Sequence, residues 1–156
     1  MDFIFKSKLR EDLEYDEGVK YEIYLCSENH PTFGIGHLVT KNDPEHGMDI
    51  GTPVSEERCK EAFRKDIEVT IDDCKKIFNN WDELPEEIRL VTANMCFQLG
   101  RPRLSKFKKA IAACNDKRWH DMANEMTDSR WYKQTTNRAS RLIKRVIEQT
   151  PISDFE

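Results

Sequence analysis

Near the start of the chain, Phe5, Leu9 and Leu13 recur at four-residue steps among charged neighbours. That spacing predicts a helix over residues 3–16 with one apolar stripe, ending near Gly18. The period then changes. Tyr21, Ile23 and Leu25 alternate with Glu22 and Tyr24, a turn falls at Ser27–Pro31, and a second apolar segment runs Thr32-Phe33-Gly34-Ile35-Gly36-His37. The two segments predict a small antiparallel sheet, and the glycines mark backbone left bare for the close approach of a ligand or another strand. Residues 41–54, with Asn42-Asp43-Pro44, Gly47, Gly51 and Pro53, read as turns and one short strand.

Helical spacing returns after Ser55, a good N-cap followed by Glu56 and Glu57 at the positive end of a helix dipole. Cys59, Ala62, Phe63, Ile67, Thr70, Ile71, Cys74, Ile77 and Phe78 predict one helix of about six turns. Its length and its place between strand-rich and helix-rich regions suggest a spine joining two lobes. Asn79-Asn80 and Leu84-Pro85 break the pattern. Residues 86–100 are apolar nearly all round, as in a helix buried at the centre of a lobe, with Gly100 as C-cap and Pro102 beyond it. Amphipathic pieces follow around Phe107–Cys114, Trp119–Met126 and Ala139–Val146, and the tail from Pro151 is expected to be loosely held. The fold class is α+β: a small antiparallel sheet lobe and a helical lobe, joined by a long helix.

Composition narrows the class. At 156 residues, with 35% charged and 38% hydrophobic side chains, the chain suits one globular domain or two small lobes. No apolar run approaches the roughly 18 residues of a membrane helix, so no stable membrane insertion is expected. The start, Met1–Lys6, lacks the apolar core of a signal peptide, which predicts synthesis in a cytosol and another route out for any work beyond it. Five cysteines without a CxxC pair predict reduced thiols and no zinc site. Cys59, Cys74, Cys96 and Cys114 fall on apolar helix faces; Cys26 does not. No metal cluster, phosphate loop or nucleotide fingerprint is visible, so no metal and no cofactor is expected.

Charge is divided unevenly. Residues 1–99 carry 12 Lys+Arg against 22 Asp+Glu, a balance of −10, and residues 100–156 carry 13 against 7, a balance of +6. The basic end could face a polyanion such as nucleic acid or the bacterial wall, or be no more than solvated helix faces. Its basic run Arg138, Arg141, Lys144 and Arg145 lacks the interleaved aromatics of a base-stacking surface, which argues against nucleic acid.

The chemistry-bearing residues gather in the sheet region. Glu17, Cys26, Glu28, Thr32 and His37 could all reach one surface of it. Cys26 with His37 could be the thiol–imidazole pair of a cysteine amidase or peptidase. A different reading comes from the motifs. Asp16-Glu17-Gly18, Ile23-Tyr24 and Thr32–Lys41, then Asn94–Gly100 and Ser129–Ala139, resemble the conserved blocks of phage-type lysozymes of the T-even phage family, in order and over roughly residues 8–148.

The resemblance implies a single lysozyme domain over residues 1–156. Its sheet lobe would span about 17–54 and its connecting helix about 55–78. The helical lobe would span about 79–150 and take in the N-terminal helix. It implies hydrolysis of the β-1,4 bond between N-acetylmuramic acid and N-acetylglucosamine in bacterial peptidoglycan. Glu17 would be the general acid, which such chemistry needs protonated beside an orienting cation, here Arg138. Thr32 would place the water. Cys26 stands where the family has its second catalytic group, an aspartate, and is expected to fill that role, its thiolate either polarising a water or attacking the sugar directly. A catalytically weak wall binder is the alternative. His37 would pair with Asp66 and tie sheet to helix, and Leu38, Phe97 and Glu125 would line the substrate path. Partners implied are peptidoglycan and a separate pore-forming protein, for a monomer held in the host cytoplasm until release to the wall.

Overall fold

The computed structural model describes residues 3–151; the tail beyond lies outside the described residues. Its backbone contacts group into two compact units that divide between Val69 and Thr70.

In the first unit, helix α1 (Phe3–Glu17) buries Phe5, Leu9 and Leu13, the stripe that the four-residue spacing predicts. It stops where the Gly18 N–H donates to the Glu14 carbonyl at 2.9 Å. Strands β1 (Lys20–Leu25), β2 (Pro31–Gly34) and β3 (His37–Leu38) form an antiparallel sheet in that order. The apolar run 32–37 is therefore two strands with a turn at Ile35–Gly36.

In β1 only Ile23 is buried, and Tyr21 and Leu25 are about half exposed at 51% and 49%. The expected alternation fails because the β1–β2 register shifts between Lys20 and Tyr24, and a bulged strand no longer sends every second side chain to one face. The outer edge of β1 pairs with residues 51–54: Ile23 N–H donates to Thr52 O at 2.9 Å and Val54 N–H to Tyr21 O at 2.9 Å. The short strand expected there is a single bridge, Glu22 with Pro53. Ile23, Phe33, Val39, Val54, Cys59 and Ala62 make one buried cluster that fixes the sheet on the start of the next helix.

That helix, α2 (Glu56–Ile77), is 22 residues long. Ser55 caps it, its Oγ accepting from the Arg58 N–H at 3.1 Å.

The second unit is helical. A 3-10 turn (Trp81–Glu83) leads into α3 (Glu86–Leu104), followed by α4 (Lys108–Asn115), α5 (Trp119–Thr127), α6 (Arg130–Gln134) and α7 (Thr136–Ile147). α3 is buried on nearly every side, and even its polar Thr92 and Asn94 are inside. The Thr92 hydroxyl is satisfied twice, accepting from Trp81 Nε1 at 2.9 Å and donating to the Ile88 carbonyl at 2.8 Å. Gly100 interrupts α3 with φ 78°, ψ 160°, a backbone setting open to glycine and costly for other residues. Trp119 and Trp131 are core residues at 8% and 4% exposure. Among the described residues no helix is long and apolar enough to cross a membrane. The class is α+β, with one small antiparallel sheet.

Candidate active site

Glu17 is the last residue of α1 and is half-buried. Its carboxylate lies on the β2–β3 turn: a Cβ built on Gly36 would stand 2.8 Å from Glu17 Oε1. Gly36 also has φ +60°, so both space and backbone geometry require glycine there.

Cys26 follows β1 directly. Its N–H donates to the His30 carbonyl at 3.0 Å and its own carbonyl accepts from Asn29 N–H at 2.8 Å, closing a tight turn. Thr32 lies on β2, paired in register with Tyr24, and is 1% exposed. Its hydroxyl donates to His30 O at 2.7 Å.

Partial burial pushes the Cys26 thiol up, but the backbone N–H groups of His30 and Glu28 and the Thr32 hydroxyl outweigh it, with the nearby Glu28 charge opposing them, so that it titrates below the ordinary thiol value. Thr32 has one proton to give, shared between the His30 carbonyl and a Cys26 thiolate. Tyr24 reports the surroundings of both groups. Burial raises its phenol, and so do the charges of Glu17 and then Cys26. Acid and thiol thus act on one tyrosine.

A second cluster lies beside them. His37 Nδ1 meets Asp66 Oδ2 at 2.7 Å, and Nε2 meets Asp43 Oδ2 at 2.8 Å. Burial opposes the charged imidazole, but the hydrogen bonds and charges of Asp66 and Asp43 more than compensate, and the His37 pKa is raised. Arg58 continues the chain of charges, donating twice to Glu45 at 2.9 Å and to Asp43 Oδ1 at 3.2 Å. With both ring nitrogens engaged by carboxylates, His37 has none to offer Cys26, and the thiol–imidazole pair of a cysteine amidase is not formed.

Of the other residues singled out from the sequence, Leu38 on β3 is exposed and pairs in register with Thr32. Phe97 on α3 and Glu125 on α5 are half-buried members of the second unit. Arg138 on α7 donates from Nε to Asn94 Oδ1 at 2.9 Å. Tyr24, the contact of Gly36 with Glu17, and the Asp43–Arg58 link escaped the sequence reading. Asp43 signals only a turn in the sequence, and through-space contacts leave no periodicity behind.

In the first unit a carboxyl acid at a helix end, a thiol and a hydroxyl thus belong to one small three-stranded sheet and the helix end that touches it, and the comparisons make the chain a glycoside hydrolase of the lysozyme class. The phage lysozyme family model matches residues 14–148. The chain is 33% identical to a probable T4-type lysozyme 2 of Dictyostelium discoideum, over 96% of this chain and 99% of that protein. It is 26% identical to the pre-baseplate central spike protein Gp5 of Enterobacteria phage T4, over 89% of this chain and 27% of that one. To a peptidoglycan hydrolase, gp36, of Pseudomonas phage phiKMV it is 26% identical, over 88% of this chain and 15% of that one. The chain belongs to the phage lysozyme family.

Proposed function

We propose that the chain is a muramidase that hydrolyses the β-1,4 bond between N-acetylmuramic acid and N-acetylglucosamine in bacterial peptidoglycan. Glu17 gives its proton to the glycosidic oxygen as the bond to the anomeric carbon breaks. The Cys26 thiolate takes a proton from water, Thr32 holds that water, and the hydroxide adds to the anomeric carbon. Both groups return to their starting states by exchange with solvent. The observation that carries this reading is the Glu17 carboxylate lying on the β2–β3 turn of the sheet that holds Thr32 and leads into Cys26, in a chain whose residues 14–148 match the phage lysozyme family. Leu38, Phe97 and Glu125 contact the glycan. The protein works as a monomer, is held in the host cytoplasm, and reaches the wall through a pore made by another protein.

Release of reducing ends from purified Gram-negative peptidoglycan tests it. The natural chain should release them, and Glu17→Gln should fall by about 10²–10⁴-fold, the usual worth of a general acid. Cys26→Ser should fall comparably. Full activity of Cys26→Ser would make the thiol a bystander. Silence from the natural chain, with wall binding retained and activity gained in Cys26→Asp, would leave a wall binder instead.

A further inference from the structure

The thiol stands outside the ladder that holds its partner. Thr32 pairs with Tyr24 inside the β1–β2 register, and the last pair, Leu25 with Pro31, closes just before Cys26. Cys26 therefore belongs to the 26–30 loop, whose residues 27–30 are exposed. Exposed loops with few buried contacts open more readily than strands. Asn29 sits in this one at φ 60°, a left-handed setting that asparagine tolerates better than most side chains. The placement of sulfur against hydroxyl thus depends on what holds the loop.

His30 supplies that hold twice over. Its carbonyl accepts from the Cys26 N–H at 3.0 Å and from the Thr32 hydroxyl at 2.7 Å, so one oxygen joins the two functional residues. Its ring leaves the loop, Nε2 meeting the Val39 carbonyl just after β3 at 2.9 Å. A carbonyl only accepts, so this ring nitrogen carries the proton and donates it. Val39 is buried in one cluster with Ile23 and Phe33, which makes its carbonyl a fixed point. We propose that His30 is a positioning residue: its ring, anchored on Val39, holds the 26–30 loop so that Cys26 and Thr32 keep one arrangement toward the reacting water. The proposal deepens the hydrolytic reading and rests on it for the use made of the thiol. The N–H groups of Glu28 and His30 that favour a Cys26 thiolate keep their aim only while the loop is held. Loosening it moves the thiol back toward its ordinary value.

The pH dependence of Cys26 alkylation in the full chain tests it without any glycan, alongside reducing-end release from peptidoglycan. His30→Leu removes the donor, and His30→Asn keeps an amide but draws it back too far to reach Val39. In both, the rising limb of the alkylation rate should move to higher pH. Their kcat should fall by about fivefold, the worth of one hydrogen bond, with KM unchanged. His30→Gln, whose amide nitrogen extends as far as Nε2, should restore the limb and the rate. The exposed His46, changed to Leu, should leave both at their natural values. An alkylation limb unmoved in His30→Leu and His30→Asn would overturn the proposal, as would an equal shift in His46→Leu or no recovery in His30→Gln. A natural chain that releases no reducing ends overturns the hydrolytic reading instead, and the alkylation limb still tells whether His30 holds the thiol.

Discussion

In the proposed mechanism Cys26 is a neutral-looking group that serves an anionic role. A carboxylate is charged at pH 7 without help, whereas an ordinary thiol with a pKa near 8.5 is a few per cent thiolate. Here the N–H groups of the 26–30 turn and the Thr32 hydroxyl stabilise the anion against partial burial. If Cys26 acts as that mechanism has it, in its deprotonated form, kcat/KM should rise with pH through a value below that of a free thiol. In Cys26→Asp the rising limb should move to about pH 4, the carboxylate range. Reducing-end release measured across pH would show it, and a limb that stays in place would assign it to another group.

At the scale of elements, the charged cluster joins the 37–45 segment to α2, through Asp66 and Arg58. His37 has a raised pKa, so its stabilisation is complete below about 6.5, its unfolded value, and is lost as pH rises through the higher folded value. The carboxylates behave oppositely. Burial opposes ionised Asp43, but the Thr40 N–H and His37 outweigh it, while Arg58 hydrogen bonds hold Glu45 down. Their share is present above about pH 4 and is lost as pH falls through their depressed values. Stability should therefore peak between about pH 4 and 6.5. Asp66→Asn should cost about 1.5–3 kcal/mol within that window, and the gap should close at alkaline pH. Thermal melts across pH would measure this; a constant gap would mean that His37 does not titrate.

Sequence patterning found α1 and α2, whose burial repeats at helical steps, α3, whose near-continuous apolar run is buried on nearly every side, and the Ser55 cap. It over-read β1, because alternation presumes a regular register and a bulge removes it. It did not separate α6, which at five residues is too short to show a period. Periodicity set Cys26 apart as the cysteine off an apolar helix face, and the resemblance gave it a catalytic position.

At the scale of the molecule, a net charge of −4 conceals a strongly acidic first portion and a basic last one. An anionic wall should attract the chain only through the second, and surface attraction of this kind is screened within about 8–10 Å at physiological ionic strength. The rate on purified wall should fall as salt is raised from about 0.01 M, where screening reaches about 30 Å, to about 0.15 M. A rate indifferent to salt would remove charge from the account of wall attraction.

The five thiols also sort themselves by accessibility. Cys59, Cys74, Cys96 and Cys114 are buried, and burial pushes the Cys114 thiol up to about 12. Cys26 alone is partly exposed and shifted toward the thiolate. An alkylating reagent should therefore stop at one equivalent per folded chain and then take up four more on unfolding, making the native molecule a single-hit target whose functional copies can be counted by mass.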